Sequence, residues 1–250
     1  PLASGVLPVA IGKSTRLFDY LLDKKKEYVA TVAFGYMTDT LDLEGKTVLT
    51  SEVIPTEEQV KNACEKLVGE IMQVPPIFSA KCVNGKRSYE LARKGVAVEL
   101  PPKKVVISDI EVIGKTAENE YKIKIVCGGG TYIRSVARDL GYECGSCATM
   151  TSLVRTASGV FKIENSIKAE DFINAEKKQS LLIPADNAVD FPVIVLNEEQ
   201  TKRLFNGLYD EYDYSDGVYR VYSPKGFYGV GEVKNGKIKV KAYVGDYENL

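Results

Sequence analysis

Residues 120–141 read EYKIKIVCGGGTYIRSVARDLG, and the fold turns on them. Glu120–Cys127 alternates apolar and polar side chains, the two-residue period of a strand. Gly128, Gly129 and Gly130 follow, and then Ile133, Val136, Ala137 and Leu140 recur on one helical face. The pattern predicts strand, tight glycine turn and amphipathic helix, with Gly141 ending the helix. Glycines beside a helix N-terminus allow close approach of an anion to free N–H groups. The stretch lacks the G-K-[ST] of a P-loop and the full G-x-G-x-x-G spacing, and a ligand-free turn explains it as well. Arg134, in the first turn, can pair bidentately with a carboxylate or phosphate, or stand in an ordinary surface ion pair.

Outward from this element the chain mixes strands and helices. Lys104–Ile113 alternates and pairs naturally with Glu120–Cys127 across the polar residues Lys115–Asn119. Residues 27–35 (EYVATVAFG) read as a strand, and KTVLTSEVI, from Lys46, as a second strand-like run after a polar loop around Gly45. Thr56 and Gln59 fit a capping box, and Val60, Ala63, Cys64, Leu67, Val68 and Ile71 then predict one helical stripe that Pro75 and Pro76 stop. Short helices are expected over Ser88–Lys94 and Ala169–Lys177. Composition shifts near Pro184–Pro192. A helix Glu198–Phe205 follows, capped by Asn197 and ended by Gly207. Tyrosine-rich strands with turns at Asp216-Gly217, Pro224–Gly226 and Asn235-Gly236 complete a small β-barrel-like domain.

Composition limits the chemistry. The 250 residues are 44% hydrophobic and 27% charged, with net charge −1. The near-neutral balance gives no global attraction for nucleic acid, so any RNA surface must be a local basic patch. There is no histidine, which excludes Ser-His-Asp and Cys-His nucleophilic sites within the chain, and His-ligated zinc. Five cysteines, at 64, 82, 127, 144 and 147, do not form a disulfide framework. Cys144-Gly-Ser-Cys147 has no second pair to make a zinc ribbon. A thioredoxin-like site stands against two small buried residues at a helix end, and the latter is preferred. A reduced, cytoplasmic protein is expected. No apolar run reaches the roughly 20 residues of a bilayer span, and PLASGVLPVAIG has no basic n-region. The most basic stretch, KCVNGKRSYELARKG, offers Lys81, Lys86, Arg87, Arg93 and Lys94, with Phe78 and Tyr89 nearby. It could track an RNA backbone or simply be a solvated face.

Five motifs in order resemble TruB-type pseudouridine synthases, over residues 1 to about 161. PLASGVLPVAIGKSTR is similar to the stretch after the nucleophile in G-T-L-D-P-x-A-x-G-x-L-P. KEYVATVAFGYMTDTLDLEG resembles the second motif, with its tyrosine and T-x-D-x-x-G ending. PPIFSAKCVNGKRSYELARKG resembles P-P-x-[YF]-S-A, CGGGTYIRSVARDLG the G-T-Y-I-R helix start, and SLVRTASGVF the L-x-R-T-x-x-G-x-F segment. The resemblance implies an α+β pseudouridine synthase fold. Its sheet is mixed and mostly antiparallel, with flanking helices and a cleft between the sheet and the Arg134 helix. Residues 1–186 would be the catalytic domain and 187–250 a PUA-like RNA-binding domain. It implies isomerisation of a uridine in the tRNA T loop (uridine 55) after base flipping, with no metal or organic cofactor. The partner implied is the T-arm of tRNA, with no membrane and a monomeric enzyme.

Residue by residue, Tyr28 matches the tyrosine that stacks on the flipped base, and Tyr132 a pocket tyrosine. Leu153 matches an apolar residue closing the pocket. Arg134 matches the arginine that pairs with the nucleophilic aspartate. That aspartate would immediately precede Pro1. Asp19, Asp39 and Asp42 do not match its position, and none is assigned the role. The family's earlier G-H-T-G and K-P-x-G-x-x-S segments would also lie upstream. A chain truly starting at Pro1 is expected to be inactive and poorly stable, so upstream residues are expected in the natural protein or as a separate piece. Cys82 stands where lysine is common in the family, and Gly128-Gly129 where a Ser-Lys pair is common. The alternatives are a catalytically inactive tRNA-binding or remodelling protein on the same scaffold, and a nucleotide-dependent enzyme using the glycine loop.

Overall fold

Period-two patterning becomes one sheet in the first of two units into which the chain clusters, Pro1–Val6 with Lys24–Ser158. The computed structural model describes residues 2–22, 25–79, 81–83, 85–93, 100–208 and 213–245. In the first unit the elements run β1 (Ala3–Gly5), β2 (Lys26–Phe34), β3 (Tyr36–Thr38), β4 (Thr47–Thr50), α1 (Glu57–Lys66), β5 (Gly69–Gln73), β6 (Lys103–Ala117), β7 (Glu120–Cys127), α2 (Ile133–Glu143) and β8 (Ala148–Ser158). The main sheet follows the order β1-β8-β2-β7-β6-β5. β1 lies parallel to β8, and the other neighbours along this order are antiparallel. The mixed, mostly antiparallel sheet with flanking helices is the expected α+β class.

One row of side chains on this sheet forms the core. Ala30, Val32 and Phe34 on β2 join Ile123 and Ile125 on β7 and Met150 on β8. Val60, Ala63 and Cys64 of α1 and Val136, Ala137 and Leu140 of α2 cover them. Each large aliphatic side chain so buried contributes about 1.5–3 kcal/mol. The α1 start is as expected: Thr56 Oγ1 accepts from the Gln59 N–H at 3.3 Å, and the Gln59 side chain accepts from the Thr56 N–H at 2.8 Å.

Two expectations change. The stripe Val60–Ile71 is not one helix. α1 stops at Lys66, Gly69 adopts φ 108°, and Ile71 lies on β5 opposite Val105. A left-handed glycine reverses the chain there, and the four-residue step from Leu67 to Ile71 imitates a helical repeat without being one. Gly141 does not end α2, which runs on to Glu143. The glycine is there for close approach instead: a Cβ at 141 would stand 2.6 Å from the Ala148 backbone nitrogen. Helix and following strand can touch only without it.

The second unit, Leu7–Asp23 with Gly159–Leu250, holds the four-strand sheet β9 (Val193–Val195), β10 (Gly217–Ser223), β11 (Gly226–Lys234) and β12 (Lys237–Tyr243) in that order, with α3 (Glu198–Phe205) between β9 and β10 in the chain. Ile194, Leu196, Leu204, Val221, Val233 and Ile238 fill its core. Asn197 and Gln200 form the α3 capping box, and Gly207 takes φ 73° just beyond the helix. Asn235 and Gly236, both at positive φ, turn β11 into β12. The expected helix Ala169–Lys177 is shorter, Ala169–Asn174. Leu17, from the N-terminal piece of this unit, is buried with Val189, Val230 and Ala242. Among the described residues no helix is long and apolar enough to cross a membrane.

Gly141→Ala separates two effects of opposite sign. Helix propensity alone would stabilise by about 1 kcal/mol. The backbone clash should outweigh it, with a net loss of roughly 1–3 kcal/mol as in other overpacked sites. A urea-unfolding midpoint at or above wild type would show that the α2–β8 approach is not tight.

Candidate active site

The loop between β3 and β4 is built around Asp42. Leu41, buried and at φ 63°, holds a conformation that costs a side-chain-bearing residue roughly 1–2 kcal/mol. It turns Asp42 inward, where the residue is 7% exposed. Asp42 Oδ1 accepts from Thr40 Oγ1 at 2.6 Å and from the Glu44 N–H at 3.1 Å. Its carbonyl accepts from Thr38 Oγ1 at 2.6 Å. Gly45 packs so closely on Asp39 and Thr40 that a Cβ there would lie 2.3 Å from their side-chain oxygens. The Met150 N–H donates to the Leu41 carbonyl at 3.1 Å, which ties the loop to β8.

Arg134 enters from the first turn of α2. Its Nη1 donates to the Thr40 carbonyl at 2.8 Å and to Asp42 Oδ2 at 3.0 Å, and its Nη2 donates to the Phe78 carbonyl at 2.8 Å. The Arg134 and Asp42 side chains are 23% and 11% exposed, so the pair is largely withdrawn from water. Arg134 is therefore an inward guanidinium, and its ordinary-surface-pair reading falls away. Asp42 was in view in the sequence, within T-D-T-L-D, but spacing does not show that it meets a residue 92 positions away. Tyr132 is the N-cap of α2, half-buried, with extended backbone. Gln73 holds that backbone through its N–H and its carbonyl, a contact no sequence pattern marked.

Tyr28 and Leu153 lie on the sheet face that α2 covers. Tyr28 continues the row Ala30, Val32, Phe34 by one more step, and both it and Leu153 are partly buried against that core. Leu153 is opposite Ala30, and Arg155 is opposite Tyr28. Burial pushes the Tyr28 hydroxyl above its usual pKa, and the Arg155 guanidinium bonded to it acts the other way. Arg155 also donates from Nε to the Val6 carbonyl, just past β1. Leu153 faces Ala3 in the parallel β1–β8 register. The strand that bears the L-x-R-T motif thus meets both the Tyr28 hydroxyl, through Arg155, and the segment that follows Pro1. Pro1 itself lies outside the described residues.

The basic stretch is partly described. Lys81 is half-buried and precedes a short strand pair, Cys82–Val83 with Lys86–Arg87, on which Arg87 is exposed. Buried Ser79 and Ser88 bond each other at 3.1 Å and hold its base. The side chains of Lys86 and Arg93, and Lys94 entirely, lie outside the described residues. Cys144 and Cys147 do not act as a pair: their sulfurs contact the carbonyls of Gln59 and Leu49 respectively. Burial raises both thiols, opposite to what a redox thiolate needs. Among the described residues no cluster of His, Cys, Asp and Glu could hold a metal.

The TruB family pseudouridylate synthase N-terminal domain matches residues 1–133. The tRNA pseudouridine synthase B of Clostridium tetani is 41% identical over 241 residues, covering 93% of this chain and 82% of that protein. Its namesake from Caulobacter vibrioides is 41% identical over 211 residues, covering 83% and 68%. Among solved structures, a chain of an H/ACA RNP bound to a substrate RNA containing 2′-deoxyuridine superposes with TM-score 0.70 at 20% identity, covering 96% of this chain and 72% of that one. A chain of a Cbf5-Nop10-Gar1 complex gives 0.69 at 23%, covering 95% and 72%. At those identities the structural likeness is one of fold. The family match and the curated relatives together settle membership: the chain belongs to the TruB family of pseudouridylate synthases.

Proposed function

We propose that the protein isomerises uridine 55 in the T loop of tRNA to pseudouridine. In this reaction the C1′–N1 bond breaks and a C1′–C5 bond forms. N1 gains a proton, C5 loses one, and nothing else is exchanged. The base must leave its stack, and the enzyme flips it into the site. Tyr28 offers a ring face to the flipped base, a contact worth about 1–3 kcal/mol. Tyr132 bonds the base or its sugar–phosphate through its hydroxyl, and Leu153 closes the apolar side. The nucleophile is an aspartate on the segment before Pro1.

Arg134 carries the reading. A guanidinium has five N–H donors, and the bonds to Thr40, Asp42 and Phe78 use three. Five less three leaves two, Nε–H and one Nη2–H, for a second carboxylate. Asp42 and the two carbonyls hold the guanidinium still, so a nucleophilic aspartate would meet a fixed cation that keeps it ionised and aimed. The substrate is the T-arm of tRNA, taken up by a monomeric cytoplasmic enzyme. Its phosphates run along the stretch Lys81–Lys94, with a further RNA surface on the PUA-like residues 187–250.

The direct test uses the full-length protein and a T-arm transcript carrying tritium at C5 of uridine. Tritium release with pseudouridine at position 55 is expected. Tight binding without release would make the protein a tRNA-binding scaffold instead. Arg134→Ala should abolish turnover and leave transcript affinity nearly intact, and normal turnover would remove Arg134 from the chemistry. Asp42→Asn keeps the shape and discards the charge. Loosened aim of Arg134 should lower the single-turnover rate by roughly 10²-fold. Transcript affinity should fall by about tenfold or more between roughly 50 and 200 mM salt, the loss expected when about two phosphates are neutralised. A flat salt response would argue against the basic stretch as an RNA surface.

A further inference from the structure

Gln73 is 1% exposed, an uncommon place for a side chain with two N–H donors and an acceptor oxygen. It ends β5, the last strand in the sheet order, directly before Val74-Pro75-Pro76. Its amide oxygen accepts from the Tyr132 backbone N–H at 2.8 Å, and its Nε2 donates to the Tyr132 carbonyl at 3.2 Å. One side chain thereby meets both backbone groups of one residue, as a neighbouring strand would.

The residue so held is the one at which α2 takes its direction. Tyr132 has φ −95° and ψ 110° and no side-chain cap bond. A tyrosine has no short side-chain oxygen to turn back onto the first free N–H groups, as Ser, Thr, Asp or Asn would at that position. Its carbonyl accepts the helix's own bond from Val136 at 3.1 Å, so the Gln73 donor is a second bond to the same oxygen. The segment after Gln73 extends the grip. The Val74 carbonyl accepts from Ser135 Oγ at 2.9 Å and from Arg138 Nη2 at 3.1 Å, and the Phe78 carbonyl accepts from Arg134. Those contacts secure the helix body. Gln73 alone among them acts on Tyr132, and Arg134 follows two residues later.

We propose that Gln73 is a positioning residue for the reaction: its amide fixes the backbone of Tyr132, and so sets the directions in which Tyr132 and Arg134 enter the site. This rests on the roles given above to those two side chains. A purely structural amide would change the folded fraction and leave the rate per folded molecule alone. A positioning amide would lower that rate at unchanged affinity for RNA.

The experiment measures single-turnover rate, transcript Kd and thermal unfolding for the full-length protein and its Gln73→Met, Gln73→Glu and Arg134→Ala variants. Gln73→Met keeps length and loses both bonds. Gln73→Glu keeps an acceptor for the Tyr132 N–H and loses the donor to its carbonyl. Gln73→Met is expected to slow turnover by about 30-fold or more, since a misplacement of ~1 Å can cost ~10²-fold, with Kd within about threefold of wild type. Gln73→Glu should also slow turnover, and it is the variant read if Gln73→Met does not fold. A rate per folded molecule within about twofold of wild type, in whichever variant folds, overturns the proposal. If Arg134→Ala turns over normally, the active-site reading fails and the proposal falls with it. If Arg134→Ala is dead while the Gln73 variant is normal, the positioning role alone has failed.

Discussion

The Arg134 guanidinium joins three stretches of chain that are far apart in sequence. It starts on α2, bonds the Thr40–Asp42 loop, and reaches the Phe78 carbonyl beyond β5. The charge it carries is balanced by Asp42, itself held by Thr40 and Glu44. Removing either charge from so withdrawn a pair would leave the other uncompensated, at a cost of about 3–5 kcal/mol in comparable buried pairs. The strained turn at Leu41 follows from the same constraint. The loop holds Asp42 where the guanidinium is, and the ion pair and the Met150–Leu41 bond offset the cost of that backbone.

Local patterns were legible in the sequence and long-range partnerships were not. β7, the glycine turn and the start of α2 follow from period and composition alone. The capping box at Thr56 and the cap at Asn197 announce themselves in the sequence, and the structure adds Gln200 to the latter. The failures have a common cause. Leu67 to Ile71 matches a helical step by chance across a chain reversal, and only the pairing of Ile71 with Val105 exposes it. Gly141 looks like a helix stop because a glycine demanded by a neighbour's backbone is indistinguishable in sequence from one demanded by φ.

The site shows the same division. Motif order names Tyr28, Tyr132, Arg134 and Leu153 as candidates. The structure sets Tyr28 and Leu153 on one sheet face and launches Tyr132 and Arg134 from the helix that covers it. Asp42 and Arg155 stand within matched motifs and Gln73 in none, and for all three only the structure shows which atoms they touch. Gln73 lies at the end of the stretch whose apolar spacing imitates a helix stopped by Pro75 and Pro76, and nothing in that pattern marks its amide as buried. Its near-complete burial reflects a partner 59 residues downstream.

The ionisation of the site fits the substrate proposed for it. None of the 250 residues is a histidine, so none of them offers an imidazole for proton transfer. Burial raises the Tyr28 hydroxyl and the Cys127 thiol, so both are neutral at physiological pH. Cys64, in the core beneath, is pushed up to about 12. The Arg134 charge is balanced by Asp42, and Arg155, opposite Tyr28, adds a further cation. With the aspartate nucleophile proposed above, two carboxylates would stand against two guanidiniums, a balance that suits an uncharged uracil, which would lose more by desolvation than it gained beside an unbalanced ion. The phosphates carry the charge of the RNA, and in the proposed binding mode they would meet the lysines and arginines of the Lys81–Lys94 stretch. On that proposal, attraction for the backbone and accommodation of the base fall to different residues. A chain of net charge −1 would then hold a polyanion through a local basic stretch, as its near-neutral balance requires.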